Sequence, residues 1–259
     1  MNVFLFGLEL SGVAFPKRLC ESTRMPKRLT PPQVPPQQYG ATQEAFAHLE
    51  PLYGPVHWEP RYDAISELVF TILSQHTSDL NSEKAFQRLI DSFGSWEAVA
   101  QSDDRFIVDC IRIGGLAQIK APRIKEVLNQ IIELKGHLDL EFLNELPMAE
   151  AKSWLQALPG VGPKTAAIVL CFAFGMPAMP VDTHIHRVSQ RLGLIGPKIT
   201  ADQAHDLLEE LVNPEQVFPF HVYLITHGRQ VCKAQRPLCE ECVLLVRCPE
   251  GKKRTIVQG

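Results

Sequence analysis

Two ionisable residues eighteen positions apart, Lys164 and Asp182, carry the chemistry most open to inference in this chain. They lie within LPGVGPKTAAIVLCFAFGMPAMPVDTHIHR, residues 158–187. Lys164 falls in the first turn of an apolar helix opened by Gly160-Val161-Gly162 and Pro163. There the positive end of the helix dipole disfavours an ammonium, and partial desolvation by a bound ligand disfavours it again. The expected result is a free amine able to attack a carbon electrophile. A lysine that only contacts phosphate is the plainer use of the same position. Asp182 precedes Thr183-His184-Ile185-His186 and has the character of a helix N-cap. A capping carboxylate stays anionic and can stabilise a neighbouring cation as it develops. Capping alone accounts for an aspartate there, so neither residue is persuasive without the other.

The glycine turn suggests what the pair acts on. Without Cβ atoms, the backbone at Gly160 and Gly162 can bring N–H groups close to a phosphate. The helix start adds unpaired N–H donors, and Pro163 suits the first position because its missing N–H is not needed there. Such a turn grips a nucleic-acid backbone without reading its sequence. An ordinary glycine-rich corner between two helices would look the same. A second constellation lies downstream, where Cys232, Cys239, Cys242 and Cys248 follow C-x6-C-x2-C-x5-C. The other cysteines, Cys20, Cys110 and Cys171, stand alone, so the quartet reads as metal binding rather than a disulfide framework. A four-cysteine zinc site usually shows two short pairs, and here there is one C-x2-C, which leaves zinc as the alternative to an iron–sulfur cluster.

The elements that must position these groups read as helices almost throughout. Apolar residues recur at helical spacing from Ala64 to Leu73, from Ala85 to Phe93 and from Ile124 to Leu134. Ala166 to Phe172 form a further apolar helix closing at Gly175, and others follow over 183–192, 202–212 and 215–230. No run alternates apolar and polar residues, so the fold class is all-α. A formal net charge of −3 supplies no global positive field, so contact with nucleic acid must use local patches. Residues 161–198 carry a net +3, with Arg187 and Arg191 one helical turn apart, and residues 227–254 carry +4, including Lys233 and Arg236. A solvated charged face is the plain account of each. No stretch reaches the roughly 20 apolar residues of a membrane span.

LPGVGPKTA, the Gly/Pro-rich loop and VDTHIHRV together resemble the helix–hairpin–helix, Gly/Pro-rich-loop, Asp superfamily of DNA glycosylases. With Lys164 and the cysteine quartet, the chain is similar to the endonuclease III branch from about residue 45 to 250. The resemblance implies a base-excision enzyme acting on double-stranded DNA that holds damaged bases or abasic sites. Lys164 would attack C1′ of a flipped nucleotide, expel an oxidised or ring-saturated pyrimidine, and cut the strand by β-elimination from a Schiff base. Asp182 is the matching carboxylate, and the four cysteines would hold a 4Fe-4S cluster. Leu116, after Ile113-Gly114-Gly115, corresponds to a leucine that wedges into the stack, a buried leucine being the alternative. Gln75 matches a family glutamine, while His76 stands where a small residue or second glutamine is usual. Asp79 is expected to cap the next helix. A monofunctional adenine-mismatch enzyme would lack the lysine and carry a glutamate where Thr71 stands.

The architecture expected is two helical domains flanking a DNA-binding cleft. Residues 1–40 form a flexible leader, 58–176 a helical bundle with the hairpin, 41–57 plus 177–250 a cluster domain, and 251–259 a tail. Lys164 and Asp182 would face each other from opposite walls. A monomer in the cytoplasm, associated with the nucleoid through DNA, completes the expectation.

Overall fold

Four short polar residues set the starts of the helices that build the first core. The structure, a computed structural model, describes residues 36–258, with no strand among them. The expected leader therefore lies almost wholly outside the described residues. The first helix, α1 (Pro36–Tyr53), begins inside the stretch expected as leader and ends short of residue 57. Gly54 is left-handed, with φ of 79°, and Pro55 after it bars further helix.

Then come α2 (Ala64–Ser74), α3 (Asp79–Phe93), α4 (Trp96–Gln101), α5 (Asp104–Ile111), α6 (Ala117–Lys135), α7 (Met148–Gln156) and α8 (Pro163–Phe174). The side chains of Asp63, Ser78, Ser95 and Asp103 each accept a hydrogen bond from the first turn of the helix they precede, α2 to α5 in order. Each such cap contributes about 1 kcal/mol. Ser78 thus takes the capping role expected of Asp79, which sits in the first turn of α3 instead. The wide apolar stripe of α2 has the expected result. Leu68, Val69, Ile72 and Leu73 are all fully buried, and α2 lies centrally against α8, α3 and α6.

A second core gathers α1 with α9 (Thr183–Leu192), α10 (Ala201–Leu211) and α11 (Val217–Gln230), and α12 (Pro249–Gln258) lies outside it against α9. Phe46, Leu49, Ile185, Val188, Phe220 and Tyr223 pack together in it. Core membership passes from the first cluster to the second between Ala178 and Met179, in the Gly/Pro-rich loop. Much of the stretch expected as a tail is helical in α12, which packs on α9. Helices α9 and α11 approach so closely at Gly228 that an added Cβ would stand 2.9 Å from the Cβ of His184. No helix among the described residues is long and apolar enough to cross a membrane.

Candidate active site and cysteine loop

The hairpin between α7 and α8 is shaped by one obligatory glycine. Gly160 has φ of 71°, and an added Cβ would meet the Arg123 guanidinium at 2.2 Å. Gly162 is extended and has open space where a Cβ would point, so conformation alone does not demand glycine there. It is the N-cap of α8, and no side chain caps that helix. The first-turn N–H groups therefore have no side-chain cap, the arrangement that suits a phosphate. Lys164 is exposed beside them.

Asp182 is the N-cap of α9, its Oδ1 accepting from Ile185 N at 2.8 Å, and it is half-buried. Three side chains hold the loop that delivers it. Glu209 Oε1 accepts from Met179 N at 2.8 Å, and His221 Nδ1 lies 3.0 Å from the Pro180 carbonyl. His205 Nδ1 lies 2.7 Å from Met179 O and 3.3 Å from Val181 N. A neutral imidazole nitrogen serves one of these at a time, and the shorter contact assigns an Nδ1–H donated to Met179 O. Burial pushes His205 below the usual histidine range, and pushes His221 down to about 4. After burial and the Pro180 bond, the charges acting on His221 include Asp182, which raises it, and Lys164, which lowers it. Both candidate residues therefore lie within electrostatic reach of one buried imidazole. Glu209 also pairs with Lys152 of α7, which reaches Asp206 at 3.2 Å, so the two cores are joined at this loop. Burial raises the Glu209 carboxyl, and Lys152 opposes that rise.

The remaining buried carboxylate of the first core, Glu67, is committed elsewhere. Arg61 Nε donates to it at 3.0 Å, and the guanidinium lies 4.4 Å from the ring centre of Phe70. Thr71 is buried against Glu67 and offers no acid of its own.

Three exposed non-glycine loop residues among those described have left-handed backbones, His76 with φ of 54°, Leu116 with φ of 52° and Arg236 of the cysteine loop with φ of 52°. Leu116 is 49% exposed at the start of α6, so the structure favours a projecting leucine over a buried one. Gln75 points back toward the hairpin helix, its Nε2 3.5 Å from Thr165 Oγ1. Asp79 pairs with Arg229 of α11 at 3.0 Å, a second contact between the two cores.

The four cysteines line one cavity. Among the described residues no three His, Cys, Asp or Glu side chains are close enough to hold a single metal ion. Donors are nonetheless aimed at sulfur. Arg191 Nη1 lies 3.3 Å from Cys232 Sγ and Gly251 N 3.2 Å from Cys248 Sγ, while His227 Nε2 stands 3.4 Å from Cys242 Sγ, donating or accepting according to its tautomer. A Cβ on Gly251 would press on Leu245 and Cys248. Burial pushes the Cys242 thiol up to about 11, and the charges of Cys248, Cys232 and Cys239 add to the rise. Cations among the sulfurs would reverse that balance. Cys171, by contrast, is a core thiol pushed up to about 12 by burial.

Arg187 and Arg191, expected to contact DNA phosphate, are occupied otherwise. Arg187 donates to Cys232 O at 3.1 Å and Gly228 O at 2.9 Å. Arg191 donates to Lys233 O at 2.7 Å and Ala234 O at 3.0 Å. Both guanidinium groups fasten α9 to the cysteine loop, a role that their one-turn spacing alone does not reveal. Lys233 and Arg236 are exposed on that loop, whereas Arg247 pairs with Glu44 of α1 at 3.0 Å.

A glycine hairpin feeding a lysine-bearing helix, a loop-borne aspartate and an all-helical frame define a class, and the comparisons agree. The family model described as HhH-GPD superfamily base excision DNA repair protein matches residues 69–214. An endonuclease III of Thermotoga maritima is 36% identical over 192 residues, covering 74% of this chain and 85% of the relative. Two solved structures, a non-covalent endonuclease III–DNA complex and a trapped endonuclease III–DNA covalent intermediate, are each 30% identical. They superpose with TM-scores of 0.73 and 0.72, covering 84% of this chain and 98% of each structure. The chain belongs to the endonuclease III family of base-excision DNA repair proteins.

Proposed function

We propose that the chain excises oxidised or ring-saturated pyrimidines from double-stranded DNA and then nicks the strand, with Lys164 as nucleophile and Asp182 as its carboxylate partner. The observation that carries the assignment is the pairing of an uncapped helix start bearing an exposed lysine with an aspartate held rigidly on the next loop. Phosphates flanking the lesion bind the hairpin backbone at Gly160 to Gly162 and the first-turn N–H groups of α8 that follow it, which brings C1′ to the amine. The lysine nitrogen forms a bond to C1′ as the bond to the base breaks, and Asp182 stabilises the positive charge on the sugar. Loss of the ring-oxygen bond gives a Schiff base, a C2′ proton leaves, and the 3′ phosphate departs. Leu116 and His76 fill the space that the extruded nucleotide vacates, with Gln75 beside them, while Lys233 and Arg236 meet phosphates outside the cleft. The cleft lies between the two cores, and the protein acts as a monomer, cytoplasmic and associated with the nucleoid.

A panel of duplexes, each with one damaged base opposite each of the four normal bases, tests this. Release of free oxidised pyrimidine together with a nick supports it; binding without release, or excision confined to purines, overturns it.

Cys232, Cys239, Cys242 and Cys248 suit a 4Fe-4S cluster. Their shared cavity and the donors that Arg191 and Gly251 aim at sulfur support it. When bound, such a group would fold the loop and hold its basic residues, since neither base loss nor elimination moves electrons to an acceptor. Iron and inorganic sulfide in equal amounts in protein purified without air are the expected result. Zinc alone, bound tightly and with full activity, would refute it.

A further inference from the structure

Lys120 is nearly inaccessible, 3% exposed, and no carboxylate is among its hydrogen-bond partners. Its ammonium carries three protons and meets three oxygens: Leu73 O at 2.6 Å, Thr77 Oγ1 at 2.6 Å and Gly114 O at 3.0 Å. A buried ammonium is costly unless every proton is used, and here every proton is. Burial lowers its pKa below the usual lysine range, in keeping with that cost. The three acceptors belong to two different loops. Leu73 and Thr77 flank the turn that carries Gln75 and His76, and Gly114 lies just before Gly115 and Leu116.

The cross-link has more than one strand. Thr77 Oγ1 donates to Gly114 O while accepting from Lys120, so the hydroxyl and the ammonium close a ring around that carbonyl. Gly114 is itself pressed against α3, where an added Cβ would lie 3.2 Å from the Cβ of Ala85. Leu116 opens the helix that bears Lys120, its carbonyl accepting from Lys120 N at 2.9 Å. From Leu116 the connections therefore run through Lys120 and Thr77 to Gln75, and on to Thr165 beside Lys164. Both exposed tips have left-handed backbones, strained conformations that persist where the surrounding structure over-determines them.

We propose that Lys120 is a positioning residue that locks the Leu116 loop and the Gln75-His76 loop into one rigid unit, so that both enter the DNA stack at a fixed separation from Lys164. The proposal rests on the assignment of those loops to base extrusion made above. It predicts that the lock matters when a base must be extruded from a duplex, and not for chemistry on a sugar already free of stacking.

The test compares two substrates with the full chain. One is a duplex with a single oxidised pyrimidine; the other is a single-stranded oligonucleotide with one abasic site, which needs the amine but offers no stack to open. Lys120→Met should slow excision from the duplex by about 10- to 100-fold, as expected for a displacement of about 1 Å at the reacting groups. Cleavage of the single strand should stay within about twofold of the unmodified protein. Thr77→Val, which removes the hydroxyl's bonds to Lys120 and Gly114 and leaves the ammonium with its two carbonyl acceptors, should shift the same ratio in the same direction by less. It carries the test if Lys120→Met fails to fold. Equal losses on both substrates would show a purely structural lysine, and unchanged duplex excision would show that the loops need no lock; either result overturns the proposal. Failure of the unmodified protein to cleave the single strand would instead count against the Lys164 assignment.

Discussion

Replacing Lys164 by alanine should abolish the covalent adduct that borohydride forms from the protein and abasic DNA. Only a Schiff base between a protein amine and the opened sugar is reducible in this way, so the adduct reports the nucleophile directly. Lys164 is exposed at the start of α8 and makes no structural contact that its removal would collapse. Folding and duplex binding should therefore survive, since the first-turn N–H groups proposed to grip phosphate belong to the backbone. Nicking should fall by up to about 10⁶-fold, the scale seen when a nucleophile is deleted and binding and positioning remain. An adduct that persists at full yield in Lys164→Ala would show that another amine does the work.

Asp182→Asn should have the second largest effect, and the substitution separates two roles that coincide at this position. Asn caps helices about as well as Asp, so the bond from Ile185 N and the start of α9 should be kept. The charge is lost, and with it the stabilisation of a positive sugar. Base excision should drop by about 10²- to 10³-fold, the cost typical of removing one well-placed electrostatic contact in a transition state. Affinity for a duplex with a non-cleavable abasic analogue should change by no more than about threefold, because a neutral sugar has little use for the anion. Equal losses in excision and binding would assign Asp182 to capping alone.

Much of this arrangement was open to inference because its signals are local. Gly94, Gly136, Gly175 and Gly193 each end a helix in the left-handed region, and the apolar stripes locate the helices between them. Asp182 reads as a cap because the helix it starts is adjacent in sequence. The short helices α4 and α5 carry too few turns for a long periodic stripe, and their polar caps, Ser95 and Asp103, were the main signal, whereas α7 starts after Pro147 with no side-chain cap at all. The grip on the Asp182 loop was hidden for a different reason. His205, Glu209 and His221 lie more than twenty residues downstream, on helices that look ordinarily amphipathic. Their trace in the sequence is a polar residue on an apolar face, which becomes meaningful only once Met179 and Pro180 are seen beside them. Arg187 and Arg191 show the converse, since a basic pair looks alike whether it meets phosphate or a neighbouring carbonyl.

The buried tie between Lys152 and Glu209 has a mechanical consequence. The same carboxylate that holds α7 to α10 also holds Met179, so the cores cannot swing apart there without dragging the segment that carries Asp182. Separating that pair would strand a charge in a site of low polarity, at a cost of about 3–5 kcal/mol. In the cleft proposed between the cores, the two walls are thus tied together at this point before any duplex arrives, and more of the conformity is demanded of the DNA. Undamaged DNA resists bending most strongly where its stacking is intact, and a weakened base pair yields first. A stiff protein can in this way convert local softness in its target into selectivity, without touching the altered atoms until the nucleotide has already left the stack.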